Sequence, residues 1–467
     1  MNNNIGGNLL CGWFWFMPLL LCASVVTAAD CPVDIRLITL DPGHFHAALF
    51  QKEMLPGVSH RVHVYAPFGP DLIAHLGRVN GFNTRRENPT SWEMEIHAGP
   101  DFLERLIAER PGNVVVLSGN NRGKIDRIQA IVRAGMHTLP DKPWIIEHED
   151  LPKLAKTLEL ARQKRVVAYD AMTQRYEITC ILQKELVNNA EVFGSCLKGS
   201  ESEPAVHMES VHFLKKEVAG VPLLRPPWFF DIRQQGEPLA DVGTHLVDLV
   251  QWMLSPDKAL DYRKDIAVLR GSHKPIVLTR EQFQRVTGLA EFPAYLKDWI
   301  KDGRLEYFAN NSVSYTLRGV HVKLDVLWEF EAPPGGKDTE LAVFGGSRSR
   351  VEVRQGKEEN YVPEVYVVPN HADDLTVVKT ALQRQIERLS STWPGLSVKP
   401  DGPRFRVMIP DIHRVGHEAH FALLVRQFLD YLKQPKTLPA WETPYMLAKY
   451  YVTTEGVKLA RENLAKQ

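Results

Sequence analysis

Between residues 34 and 170 short apolar strands alternate with segments of helical length, and this alternation restricts the fold more than any other property of the chain. Strands are expected at 35–40 (Ile-Arg-Leu-Ile-Thr-Leu), 61–66, 113–118, 137–139 and 166–170, with helices starting at Ala47 and at about 101–109, 128–132 and 151–163. Strands joined by helical crossovers must run parallel, which gives a doubly wound sheet with helices on both faces. Such sheets bind ligands at the carboxyl ends of their strands, where Gly43, Asn120, Asn121 and Lys142 fall. Pro143 holds Lys142 extended at the last of these ends.

The first strand runs into Asp41-Pro42-Gly43-His44-Phe45-His46 and then a helical Ala-Ala-Leu-Phe pattern. A glycine turn that opens a helix after a strand is the first unit of a dinucleotide-binding fold, in which backbone N–H groups hold a pyrophosphate. Where three glycines are usual, this chain has Asp41, Gly43 and His46. The second strand ends in Tyr65-Ala66-Pro67 instead of a ribose-binding acid, and Arg78, Arg85 and Arg86 follow on an expected loop, which leaves NAD and NADP both open. His44 and His46, two apart on a helix, should diverge, and no third ligand stands nearby, so no metal is expected.

Beyond Thr173 the pattern changes to longer strands, at 191–198, 206–213, 266–273, 312–318, 320–330, 340–344, 350–354 and 364–368, with amphipathic helices at 418–432 and 444–462. That reads as an α+β region with a largely antiparallel sheet. The chain of 467 residues therefore divides into 32–172 and 173–467. With 56 basic and 56 acidic side chains it has no net charge to attract nucleic acid or an anionic membrane surface, so the expected partners are a small molecule and further copies of the chain, as a homo-oligomer. Residues 1–29 hold no charged side chain and pass from an apolar run to small residues, the layout of a secretory signal, with an uncleaved anchor as the alternative. Export to the periplasm or medium follows, and no later segment is long and apolar enough to span a bilayer. Cys31, Cys180 and Cys196, left after such a signal, make neither a disulfide framework nor a zinc site.

One stretch, 239–253, has the composition of a helix with a functional face. At about 100° per residue Asp241, His245, Asp248 and Trp252 share a stripe roughly 60° wide, while Leu246, Leu249, Val250 and Met253 cover another side. Three ionisable groups on one stripe of a buried helix must be paired or used.

Taken together, the glycine turn, Asp141-Lys142-Pro143 and Asp241-x-x-x-His245 resemble the Gfo/Idh/MocA family, the sugar and inositol oxidoreductases named for glucose-fructose oxidoreductase and inositol dehydrogenase. Leu40 to Ala48, Arg225-Pro226-Pro227-Trp228-Phe229-Phe230-Asp231 and Leu447-Ala448-Lys449-Tyr450-Tyr451 are similar to a secreted branch with its own oxidoreductase C-terminal domain, itself similar to enzymes that oxidise glycosides at the C3 hydroxyl. The resemblance implies a Rossmann domain followed by an α+β domain, and hydride transfer between a sugar hydroxyl and a tightly bound NAD or NADP, with NAD favoured. It implies Lys142, Asp241 and His245 as catalytic residues, and Gly43, His44, Phe45, His46, Asn120, Asn121 and Lys142 as cofactor contacts. Trp228 and Trp252 are candidates for a sugar-stacking face. Two other outcomes stay open: a redox-neutral lyase, hydratase or epimerase that keeps its NAD, and a non-catalytic sugar-binding descendant.

Overall fold

The computed structural model describes residues 34–218 and 221–465, so the expected export signal at 1–29 lies outside the described residues. Five strands, β1 (Leu37–Leu40), β2 (Arg61–Ala66), β3 (Glu93–Ala98), β4 (Val114–Leu117) and β5 (His137–Pro140), form a parallel sheet in the order β3-β2-β1-β4-β5. β1 and β4 are buried along their whole length, as continuous apolar runs are when both faces of a sheet are covered. Strand order reverses between β1 and β4, which puts the switch point of the sheet at the 41–46 turn and the 119–121 loop.

Three sequence expectations are corrected here. The strand at 166–170 is reduced to one bridge, Thr138 to Ala168, and Asp170 beyond it is drawn into a buried ion pair with Lys449 at 2.9 Å. β3 is unanticipated because its charged and apolar residues alternate without a continuous apolar run. Arg78, expected on a loop, lies on the helix Pro70–Thr84, whose Gly77, Asn80, Gly81 and Asn83 weaken the helical signal in the sequence.

The helix expected after β1 is a single turn, His46–Leu49. The sheet face it leaves bare is covered from the far end of the chain. The helix His417–Lys433 packs Phe421, Leu424, Val425, Phe428 and Leu432 into one buried cluster with Leu37, Phe50, Val62 and Val114.

The second half contains a ten-stranded sheet in which Ile300–Lys301, Arg304–Leu317, Val320–Glu331, Val206–Lys215, Thr339–Gly345, Ser349–Gln355, Glu364–Pro369, Arg404–Met408 and Ser397–Asp401 are neighbours in that order, while Ile266–Leu278 also pairs with Arg304–Leu317. Only Val206–Lys215 against Val320–Glu331 is parallel. Its apolar face, including Val206, Met208, Leu324 and Phe344, meets Leu246, Leu249 and Val250 of the helix Gly243–Leu254. The strand expected at 191–198 is absent. That segment turns at Gly194 (φ 79°), where a Cβ would stand 2.2 Å from Ser347 Oγ, and its ladder pairing is reduced to an isolated Cys196–Gly346 bridge. The expected helix over 239–253 is two pieces, Pro238–Asp241 and Gly243–Leu254, although Val242 between them keeps helical angles. Cys180 and Cys196 are free thiols. Among the described residues no helix is long and apolar enough to cross a membrane.

Candidate active site

Lys142 leaves the end of β5, and its ammonium donates to Asp241 Oδ1 at 2.5 Å with only 10% and 14% of the two side chains exposed. The other oxygen of Asp241 accepts from Gln235 Nε2 at 2.9 Å. Gln235 is held in turn by Asn121, whose amide donates to the Gln235 carbonyl at 2.8 Å and to its Oε1 at 3.2 Å. The loop after β4 thus orients the aspartate through a glutamine, and Asn121 turns its amide to this joint; Asn120 likewise donates to Gln234 Oε1 at 2.7 Å.

One helical turn beyond Asp241, His245 Nδ1 is buried without a hydrogen-bond partner among the described residues. Burial, and after it the Lys142 charge, hold this imidazole well below the usual histidine range, so it is neutral at pH 7. Burial works against the charge on Lys142, but Asp241 and Asp141 outweigh it and raise the ammonium above its ordinary value. A cation and a neutral base therefore stand close enough for the charge of one to act on the other, the pairing that proton removal from a hydroxyl requires.

The 41–46 turn lies at the switch point beside them. A Cβ on Gly43 would meet Gly119 Cα and Trp228 Cζ2, each at 3.1 Å, so only glycine passes there without displacing a neighbour. The Gly43 amide donates to the Asp41 carbonyl at 3.0 Å and the His44 amide to the Ser118 carbonyl at 2.8 Å, whereas the amides of Phe45 and His46 have no acceptor among the described residues. Arg127 is 3.2 Å from the Asp41 carboxylate, and burial still raises that carboxyl against the pull of Arg127. Trp228 donates its indole N–H to Asp71 at 2.9 Å and roofs the turn.

The expectation that His44 and His46 diverge is wrong. Phe45 still precedes the one-turn helix, so the two histidines are not spaced by helical geometry, and both rings reach Asp141: His44 Nδ1 at 2.8 Å from Oδ2 and His46 Nδ1 at 2.9 Å from Oδ1. A carboxylate from residue 141 is the third group that the local sequence could not supply. Burial pushes the His46 imidazole down to about 4 against the opposing pull of Asp141. Burial also opposes ionisation of Asp141, but the two imidazoles hold its carboxyl well below the usual carboxylate range.

Two members of the 241–252 stripe do not belong to the cleft. Asp248 is buried in a bidentate pair with Arg175 (2.6 and 2.7 Å) and lies 3.3 Å from Lys449, while Arg175 also reaches Glu442 at 2.7 Å. Trp252 packs on the core of the second sheet, with the Lys184 ammonium 4.6 Å from its ring centre, and offers no sugar-stacking face. Gln235, Asp71 and His417 carry no motif that sequence reading could pick out; the His417 ring stacks on His46 at 5.0 Å from the first turn of the helix His417–Lys433.

Residues 182–461 match the family model described as "Putative oxidoreductase C terminal domain". A crystal structure described as a "putative oxidoreductase" from Parabacteroides merdae ATCC 43184 is similar at 44% identity, over 93% of this chain and 99% of that one, with a TM-score of 0.91. Similarity in fold extends to a levoglucosan dehydrogenase solved with NADH and levoglucosan (14% identity, 91% of this chain, 97% of that one, TM-score 0.57). It extends also to KijD10, a 3-ketoreductase from Actinomadura kijaniata solved with NADP (12% identity, 90% and 95% coverage, TM-score 0.53). No curated protein matches the chain. With a family model over more than half of its length and a relative of 44% identity over nearly all of it, this protein belongs to the family of oxidoreductases that carry the oxidoreductase C-terminal domain.

Proposed function

We propose that this oxidoreductase transfers a hydride between a tightly held NAD or NADP and a secondary hydroxyl of a sugar or glycoside, the C3 hydroxyl being the first position to test. The observation that carries the reading is the Lys142–Asp241 pair, fixed by Gln235, beside the orphaned neutral imidazole of His245. The fold likeness to a levoglucosan dehydrogenase and a 3-ketoreductase agrees with it.

The residues of the turn fit a dinucleotide. Gly43 is packed so closely that a side chain there would press on Gly119 and Trp228, two neighbouring amides have no acceptor among the described residues and can donate to phosphate oxygens, and Arg127 offsets the charge of Asp41. Gly43, Phe45 and His46 would hold the pyrophosphate, and the nicotinamide, when bound, supplies the hydride acceptor or donor. The chain's own residues do the rest. His245, with Nδ1 enclosed, receives the hydroxyl proton at Nε2, and being neutral at working pH it needs no prior deprotonation. Lys142 faces the oxygen as negative charge develops on it, worth several kcal/mol in a site shielded from water by order of magnitude. Asp241 keeps the ammonium charged and aimed, and Gln235 keeps Asp241 in place.

The test is mass analysis of the nucleotide released when the purified protein is denatured, followed by a glycoside screen for carbonyl products. Protein that binds neither NAD nor NADP, or that oxidises no glycoside, overturns the reading.

A further inference from the structure

Among the described residues, three groups of histidine and carboxylate side chains bring one donor atom each to within 4.8 Å of one another. In two of them the donors already serve each other or a lysine. His44 and His46 each use Nδ1 on Asp141, and one oxygen of Asp325 takes both His207 at 2.8 Å and Lys323 at 2.9 Å. In the third group, His63, Glu95 and His97, nitrogens are left over. His63 Nδ1 and His97 Nε2 are both buried, and neither has a hydrogen-bond partner among the described residues. Glu95 Oε2 is 3.3 Å from His63 Nδ1 but out of line for a hydrogen bond. The large majority of buried side-chain polar atoms have a partner, so two orphaned nitrogens in one group of three residues point to a shared ligand.

The group stands at the edge of the parallel sheet. In the register of β2 on β3, His63 is opposite Glu95 and Tyr65 opposite His97, so all four side chains rise from one face. The helix Phe102–Glu109 covers that face, packing Leu106 with Tyr65. The His63 and His97 rings are 14° from parallel with their centres 5.9 Å apart, and the Tyr65 ring backs His97 at 4.4 Å. An ion about 2.0–2.1 Å from a nitrogen of each imidazole holds two ring centres roughly 5–6 Å apart. The local charge also suits a cation. Glu109 is near enough to act on both imidazoles, and it is fixed by Tyr65 Oη at 2.5 Å and Arg105 Nε at 2.6 Å. Arg61 lies 3.2 Å from the other oxygen of Glu95, Oε1, and leaves Oε2 to the group. Burial holds the His63 imidazole below the ordinary histidine range, which keeps its lone pair available at neutral pH.

We propose that His63, Glu95 and His97 bind one divalent transition-metal ion of the zinc type, which clips the edge strand β3 to β2. Two imidazoles and a carboxylate are a donor set that suits zinc better than calcium or magnesium, and three protein ligands leave the fourth position to water. Glu95, with 44% of its side chain exposed, gives the ion a way in. Lys142 leaves β5 at the opposite edge of the sheet, so the ion has no part in hydride transfer. Its work is to hold an outer strand whose free edge has no other strand beside it.

Full-length protein, stripped with a chelator and dialysed, is titrated with Zn2+ alone by calorimetry near neutral pH. Bound metal is counted by elemental mass spectrometry, and Co2+ serves in parallel as a visible-absorption probe. One Zn2+ per chain is expected at about micromolar affinity or tighter, with a higher temperature of unfolding and the Co2+ bands of a four-coordinate nitrogen and oxygen site. His63→Ala and His97→Ala should each weaken binding by more than the roughly 100-fold that loss of an outer-shell partner can cost. Glu95→Gln, at a half-exposed position that tolerates the change, should weaken it by about 10-fold or more and abolish the rise in unfolding temperature at low Zn2+. Asp141→Asn and Asp325→Asn, which alter the other two groups, should bind Zn2+ as the unaltered protein does. Absence of binding by the unaltered protein, or binding unchanged in His97→Ala and Glu95→Gln, overturns the proposal. Binding lost in Asp141→Asn or Asp325→Asn but kept in Glu95→Gln overturns it in favour of another group. Each readout is of metal held, so the outcome is independent of the oxidoreductase reading.

Discussion

Lys142 and His245 set each other's protonation, and this can be read in kinetics. For oxidation the imidazole must be neutral. Because burial and Lys142 lower it well below 6.5, kcat/KM should stay level as pH falls through 6.5 and decline only at more acid pH. Lys142→Met removes the largest lowering influence after burial, so the acid limb of the residual activity should move upward, though burial, His417 and Lys449 keep it short of the ordinary value; pH profiles of both proteins check this. His245→Ala should lower kcat by roughly 10²- to 10⁴-fold while nucleotide stays bound. Asp248, on the same helical stripe, should behave differently. Asp248→Ala leaves Arg175 and Lys449 each short of a buried partner and should cost about 3 kcal/mol in urea unfolding, with a much smaller effect on kcat. A hundredfold loss of kcat at unchanged stability would return Asp248 to the cleft. Here the limits of the sequence are plain. Spacing puts Asp241, His245 and Asp248 on one face, but the partners that separate structure from chemistry, Arg175 and Lys449, lie 73 and 201 residues from Asp248. Lys142 was legible because Pro143 and the strand before it fix its place. The convergence of His44 and His46 was not, because it depends on where a helix starts and on a carboxylate 95 residues away.

At the scale of elements, periodicity served the second half of the chain well. Strands such as Val320–Glu331 and Ser349–Gln355 and the helix His417–Lys433, each with an apolar face, lie within a few residues of their expected bounds, as does Glu442–Ala465, which is buried on most of its sides. Periodicity says nothing of where such a face docks. Nothing in Phe421 to Leu432 reveals that this helix covers the parallel sheet, and nothing in the Ala-Ala-Leu-Phe run shows that the helix there stops after one turn. Two variants test this joint. Phe428→Ala, which empties a fully buried ring site, should cost about 3–5 kcal/mol in unfolding. Gly43→Val should abolish nucleotide retention without unfolding the chain, as its Cβ would press on Gly119 and Trp228 at 3.1 Å. Cofactor still carried by that variant would remove the 41–46 turn as the phosphate site.

For the whole molecule, the proposed export and the proposed cofactor make opposing demands. A chain delivered beyond the cytoplasm meets little free nicotinamide nucleotide, so working there calls for a dissociation constant at or below nanomolar, about −12 kcal/mol. Protein purified without added nucleotide should then contain it at a substantial fraction of sites, and glycoside alone should raise the absorbance of reduced nicotinamide. Empty protein with micromolar affinity would count against a retained cofactor. The helix His417–Lys433 bears on the same question through the order of synthesis. The first strands of the parallel sheet are made early, yet the apolar cover for one of their faces is encoded near the end of the chain. Until that helix emerges, one face of β1 and its neighbours stays uncovered, although the other face has a cluster built mostly from residues 38–161. Full burial of the first domain is thereby postponed until residue 433 has been made, and if the chain is exported as proposed, that delay would favour a threadable nascent chain.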